Sequence, residues 1–132
     1  MKEKNEPVKK MEPTKSELEI LQVLWKHGPS TVRFVNDELN AQKREVHYTS
    51  TLKLMQIMTE KELLTRDESN MKHIYSAAMD EHKMKGMLLD KFVDSMYNGS
   101  AGSLVLQLLG NKKASKKELE AIKDLLKKLE KE

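Results

Sequence analysis

Thr49, Lys53, Gln56 and Glu60 follow one another at spacings of four, three and four residues, with Ser50, Leu52 and Ile57 among them. Hydroxyl, ammonium and carboxamide groups on one side of a helix can hydrogen-bond to the edges of nucleic-acid bases, and an exposed leucine can meet a thymine methyl. At 100° per residue the other side carries Thr51, Leu54, Met55 and Met58, the i, i+3, i+4, i+7 pattern of a packing face. The segment is therefore read as a helix over about Thr49 to Lys61. A major groove admits one helix, and the first turns of that helix enter it. Thr49, Ser50, Leu52, Lys53 and Gln56 are the expected base contacts, and the acidic Glu60 falls to a flank.

Such a helix needs a scaffold, and the flanking residues supply one. Thr14-Lys15-Ser16-Glu17 is a capping box that opens a first helix, whose Leu18, Ile20, Leu21, Val23, Leu24 and Trp25 face a core until Gly28-Pro29 stops it. Ser30-Thr31-Val32 suits a short strand or an N-cap, with Thr31 as capping oxygen. Val32, Val35 and Leu39 repeat at helical spacing in a second helix that ends near Asn40, and Ala41 to Glu45 make a polar connection. After the third helix, Leu63-Leu64 begin a strand, Asp67-Glu68-Ser69-Asn70 turn, and His73 to Ala77 return. Three helices and a hairpin in that order make a winged helix-turn-helix. Phosphate donors are expected around it: Thr31 and Arg33 at the second helix, His47 and Tyr48 before the third, and Arg66, Lys72 and His73 on the wing.

Composition narrows the alternatives. The 132 residues are 38% hydrophobic and 34% charged, as in a soluble, mainly helical protein, with 5% aromatics and nine Met. There is no cysteine, which removes disulfides and thiolate sites and permits a reducing cytoplasm. No run reaches the ~18 apolar residues of a membrane span, and the N-terminus lacks a signal-peptide core, so no membrane insertion and a cytoplasmic location are expected. Residues 14–80 hold nine bases and ten acids, a net of −1, so bulk charge does not favour nucleic acid and individual bases must carry that reading. Catalysis finds no support. Ser50-Thr51-Leu52-Lys53 matches S-x-x-K without the S-D-N and K-T-G that accompany it in enzymes. Gly99 to Gly102 lacks the G-K-[ST] ending of a phosphate loop. His27, His47, His73 and His82 show no i, i+4 pair, and neither metal nor cofactor is expected.

The chain divides by character into a flexible arm at 1–13, a winged-helix DNA-binding domain at 14–79, and a helical dimerisation domain at 80–132. From Asp80 to Asn98 apolar residues spread round most of a helix, a short apolar helix lies between Gly99 and Gly110, and Ser115 to Glu118 form a second capping box before a last helix. So much apolar surface needs a partner, and the alternative is that these helices fold back on their own head. The expected dimerisation residues are Met84, Leu88, Phe92, Met96, Leu104, Leu108, Leu119, Ile122, Leu126 and Leu129. The fold expected is mainly α with a small β hairpin: a winged helix-turn-helix head plus a C-terminal α-helical dimerisation arm.

The run Thr14 to Trp25 with Gly28-Pro29 and Thr31-Val32-Arg33, then Tyr48 to Leu52 through Leu54-Met55-Gln56, then Glu60-Lys61-x-Leu63, resembles the penicillinase-repressor family (BlaI, MecI and CopY type). Met96-Tyr97-Asn98-Gly99 and Gly102-Ser103-Leu104-Val105-Leu106 are similar to that family's arm, and the resemblance covers residues 14–130. It implies a homodimeric repressor on double-stranded, dyad-symmetric operator DNA, with base contacts at Thr49, Ser50, Leu52 and Lys53. It also implies a membrane sensor-protease pathway that cuts the arm at an Asn-Phe bond. The matching bond here is Gln107-Leu108, a departure from that pattern. The tail cysteines of copper-responsive members are absent, and Glu62 stands where the family has a glycine before Leu63, which predicts a differently shaped turn. Two rival readings stay open: a winged helix used for protein contact, which the −1 charge favours, and a ligand-sensing regulator.

Overall fold

The computed structural model describes residues 12–42 and 45–131. The flexible arm expected at 1–13 lies, except for its last two residues, outside the described residues, as do Lys43 and Arg44 of the polar connection. Helix α1 (Lys15–His27) opens on the expected capping box: the Glu17 amide donates to Thr14 Oγ1 (3.2 Å) and the Thr14 amide to Glu17 Oε1 (2.8 Å). Ile20, Leu21, Val23 and Leu24 are buried along it. It stops at Gly28, whose φ of 86° disfavours any side chain. Trp25 is half-buried, with its indole N–H donating to the Met79 carbonyl (2.9 Å).

Both readings of residues 30–32 hold. Ser30 pairs with Tyr75 as an antiparallel bridge (2.8 and 2.9 Å), while Thr31 Oγ1 accepts from the Phe34 amide (3.1 Å) at the start of α2 (Val32–Gln42). That helix runs two residues past the expected end at Asn40. Helix α3 (Tyr48–Glu60) takes in Tyr48, which the sequence placed before it, and buries Thr51, Met55 and Met58 of the expected stripe, whereas Leu54 is half-buried.

The exit from α3 shows how a glutamate replaces a glycine. The Leu63 amide reaches back to the Met58 carbonyl (2.9 Å) and the Glu62 amide to that of Thr59 (3.1 Å), the Schellman pattern, with Glu62 left-handed at φ 68°. The turn is thus glycine-like in shape although its residue is not glycine. Leu63 and Met58 are both wholly buried, as the apolar positions flanking this motif usually are. Because a side chain in the left-handed region costs about 1 kcal/mol, Glu62→Gly is expected to raise stability by about that amount, partly offset by unfolded-chain entropy. A higher denaturant midpoint at unchanged slope is the expected readout. A lower midpoint would assign the Glu62 side chain a stabilising role.

Leu63 belongs to this cap, so β1 (Leu64–Asp67) starts one residue later than expected. β2 (Ile74–Ala77) returns antiparallel with Arg66 opposite Tyr75, and His73 precedes it. At the hairpin's end the Ser69 amide donates to Asp67 Oδ1 (2.8 Å), and hydrogen bonds from the Ser69 backbone and hydroxyl hold the Asp67 carboxyl below the usual range.

The chain separates into two compact units, the first running through Gly86 and the second from Met87. The division falls inside α4 (Glu81–Tyr97). In the second unit, α5 (Ala101–Gly110) is capped by Ser100 Oγ on the Ser103 amide (3.1 Å), and α6 (Lys116–Lys131) by a reciprocal Ser115–Glu118 box (2.8 and 3.1 Å). Neither helix has a buried residue. No helix among the described residues is long and apolar enough to cross a membrane.

Candidate nucleic-acid interface

Packing of Thr51, Met55 and Met58 inward turns the other side of α3 to solvent. Thr49, Ser50, Lys53, Gln56 and Glu60 are exposed, Leu52 is half-buried between them, and Ile57 edges the same surface. Beside this face lies a groove of about 500 Å3 lined by Thr31, Val32, Arg33, Tyr48, Leu52, Met71, Lys72, His73 and Tyr75. Three separate elements meet there: the first turn of α2, the first turns of α3, and the returning limb of the wing. The Arg33 guanidinium lies over the Tyr48 ring, 4.3 Å from its centroid, a cation–π contact that fixes where the charge points. The lining contains two full positive charges, Arg33 and Lys72, and no carboxylate. The net −1 of residues 14–80 is thus unevenly spread, since none of its acids lines this groove.

Six expected phosphate or base contacts, Thr31, Arg33, Tyr48, Leu52, Lys72 and His73, line that one groove, and Thr49, Ser50, Lys53 and Gln56 share the adjoining face. His47 is exposed just before α3 and joins neither set. Arg66 is drawn elsewhere. Its Nε donates to Glu68 Oε2 (2.8 Å), Nη2 pairs with the same oxygen, and hydrogen bonding to the Tyr75 side chain and to Glu68 raises its pKa further. Its charge is shared with the wing's own carboxylate.

Two features escaped the sequence reading. Met71, fully exposed, lines the groove from the wing, and its signal was an apolar residue inside a polar turn. Glu17 is 3% exposed and accepts from Lys61 Nζ at 2.7 and 2.9 Å, joining the first turn of α1 to the end of α3 across 44 positions. No short-range pattern announces that pair.

In the second unit Phe92, Met96 and Leu108 are 45%, 63% and 45% exposed, and Leu126 and Leu129 each 54%. Leu88, Leu104, Leu119 and Ile122 are half-buried. Met84 differs from the expectation: at 2% exposure it is already buried within the first unit and has no surface to offer another chain. Leu89, Val105, Leu106 and Leu125, outside the expected dimerisation set, are exposed instead. Gln107 and Leu108 sit inside α5, where the Tyr97 hydroxyl donates to Gln107 Oε1 (2.9 Å).

Three helices closed by a two-stranded hairpin, with the polar side of the third turned outward beside it, define a winged helix-turn-helix followed by C-terminal helices. Residues 13–128 match the family described as penicillinase repressor. The chain belongs to that family. It is 27% identical over 119 residues to the penicillinase repressor of Staphylococcus aureus, covering 89% of this chain and 93% of that protein. Against the penicillinase repressor of Bacillus licheniformis it is 27% identical over 112 residues, 84% of this chain and 86% of the other. Both relatives are named as repressors and neither as an enzyme.

Proposed function

We propose that this chain is a cytoplasmic, homodimeric transcriptional repressor that reads a dyad-symmetric operator with α3. The observation that carries the reading is the carboxylate-free groove of Arg33, Lys72 and His73 set against the exposed polar face of α3. The helix would enter the major groove while Thr31, Arg33, Tyr48 and Lys72 meet the flanking phosphates. Each protomer takes one half-site, with centres one helical turn (~10 bp) or a multiple apart. Selection from a random duplex pool followed by footprinting tests this, and failure to enrich a dyad would overturn it.

Within that scheme Thr49→Ala and Lys53→Ala are each expected to weaken specific binding by roughly 1 to 3 kcal/mol. Titration of the selected duplex measures this, and unchanged binding in both variants rejects the reading face. A second reading draws on the net −1 of residues 14–80 and makes the head a module for a mainly apolar protein contact. Salt separates the two: affinity for DNA falls with log salt by about 0.9 per neutralised phosphate, whereas an apolar protein interface is nearly insensitive.

The exposed Phe92, Met96, Leu106, Leu108, Leu126 and Leu129 form the surface a second copy would cover. Sedimentation at micromolar concentration should give a dimer. Release by proteolysis, through a membrane sensor-protease pathway of the family's kind, would place the cut at Gln107-Leu108. That bond lies in a helix, so cleavage would wait on local opening of α5.

A further inference from the structure

Asn36 is a carboxamide in the apolar interior, 3% exposed between Val35 and the buried Leu39 of α2. Its Nδ2 donates to the Val46 carbonyl (2.9 Å) and to Thr51 Oγ1 (2.8 Å), the latter 1% exposed in the first turns of α3. One turn further along α2, Asn40 donates to Asn36 Oδ1 (3.4 Å) and accepts from the Val46 amide. Two asparagines four residues apart thus grip the amide and carbonyl of Val46 and the Thr51 hydroxyl. They hold the point where the chain enters the recognition helix.

Resting on the DNA-reading function proposed above, we infer that Asn36 and Asn40 are positioning residues that set the angle of α3 and thereby the discrimination between operator and other DNA. Apolar side chains of similar volume could fill the same space without burying polar atoms, so stability alone does not call for this arrangement. What it adds is direction. Hydrogen bonds weaken steeply when misaligned, whereas contacts made by Met55 and Met58, with their flexible thioethers, tolerate sliding. Base-edge contacts tolerate little misplacement, while phosphate contacts carry no sequence information and dominate non-specific binding. Loosening the clamp should therefore erode specificity and spare non-specific affinity.

The test uses the full chain with Asn40→Ala, a substitution at an exposed helical position that favours the helix. A second variant, Asn36→Leu with Thr51→Val, removes the buried ring and leaves no orphaned hydroxyl. Kd is measured on the duplex enriched from a random pool and on a scrambled duplex of the same composition, at several salt concentrations. The expected result is a roughly tenfold fall in the ratio of the two affinities, with the scrambled-duplex Kd and its salt slope unchanged. Hydrogen exchange at the Val46, Ser50 and Thr51 amides should speed in the free protein. An unchanged ratio in both variants, or equal losses on both duplexes, would overturn the inference while leaving DNA binding intact. Enrichment of no duplex would overturn the DNA reading and the inference together.

Discussion

Lys61→Met is expected to destabilise the head by about 3 kcal/mol, close to the lower end for breaking a buried ion pair. The side chains are unequal partners: Glu17 is 3% exposed and Lys61 28%. Deleting the lysine leaves a carboxylate in the interior with the Thr14 amide as its hydrogen-bond donor, whereas deleting the carboxylate leaves an ammonium that can turn to solvent. Glu17→Gln, which keeps the capping geometry, should accordingly cost clearly less than Lys61→Met. Urea midpoints of the three proteins measure this. Equal losses in the two variants would show that the pair adds nothing beyond surface attraction.

The contrast between this pair and the neighbouring elements explains what could be read from the sequence. The Thr14–Glu17 box, the Thr51–Met55–Met58 stripe and the hairpin depend on residues three to thirteen positions apart, and local pattern exposes them. The exposed face of α3 followed from the stripe alone, because whatever does not pack must face out. Glu17 to Lys61 and Asn36 to Thr51 depend on how separate helices meet, and a glutamate in a first turn or an asparagine in a helix looks the same whether solvated or buried. Arg66 was legible as a base on the wing, but its capture by Glu68 depends on where the strand ends. At Glu62 the absent glycine pointed to an altered turn. Backbone hydrogen bonding from the Glu62 and Leu63 amides, with Leu63 wholly buried, holds the left-handed geometry instead. Met84 shows the same limit from the apolar side, since its type does not reveal which surface it joins. Helix α3 is consequently held by polar contacts at both ends, Asn36 with Asn40 at its start and Glu17 at its finish, and none of the three stood out by residue type.

Ending the chain at Asn98 is expected to leave the head folded and to lower affinity for a two-half-site duplex by about 100-fold or more. The first unit keeps all its buried residues in that truncation, from Glu17 to Met84, so its circular dichroism melt should stay cooperative. What is lost is the exposed apolar surface of α5 and α6, including Leu106 at 73% and Leu125, Leu126 and Leu129 at about half. If that surface joins two copies, each head raises the local concentration of the other at the adjacent half-site to about the millimolar range. Independent heads lose this advantage while keeping every contact to bases and phosphates. Affinity for a single half-site should therefore be equal in the truncated and full chains, and only the paired site should discriminate between them. The dependence on log salt should fall to about half for the isolated head, because half the phosphates are neutralised per binding event. Equal affinity of the two proteins for the paired site would place the whole of operator recognition in the head and remove the C-terminal helices from the mechanism. A loss on the single half-site as large as that on the paired one would instead assign those helices a direct contact with DNA.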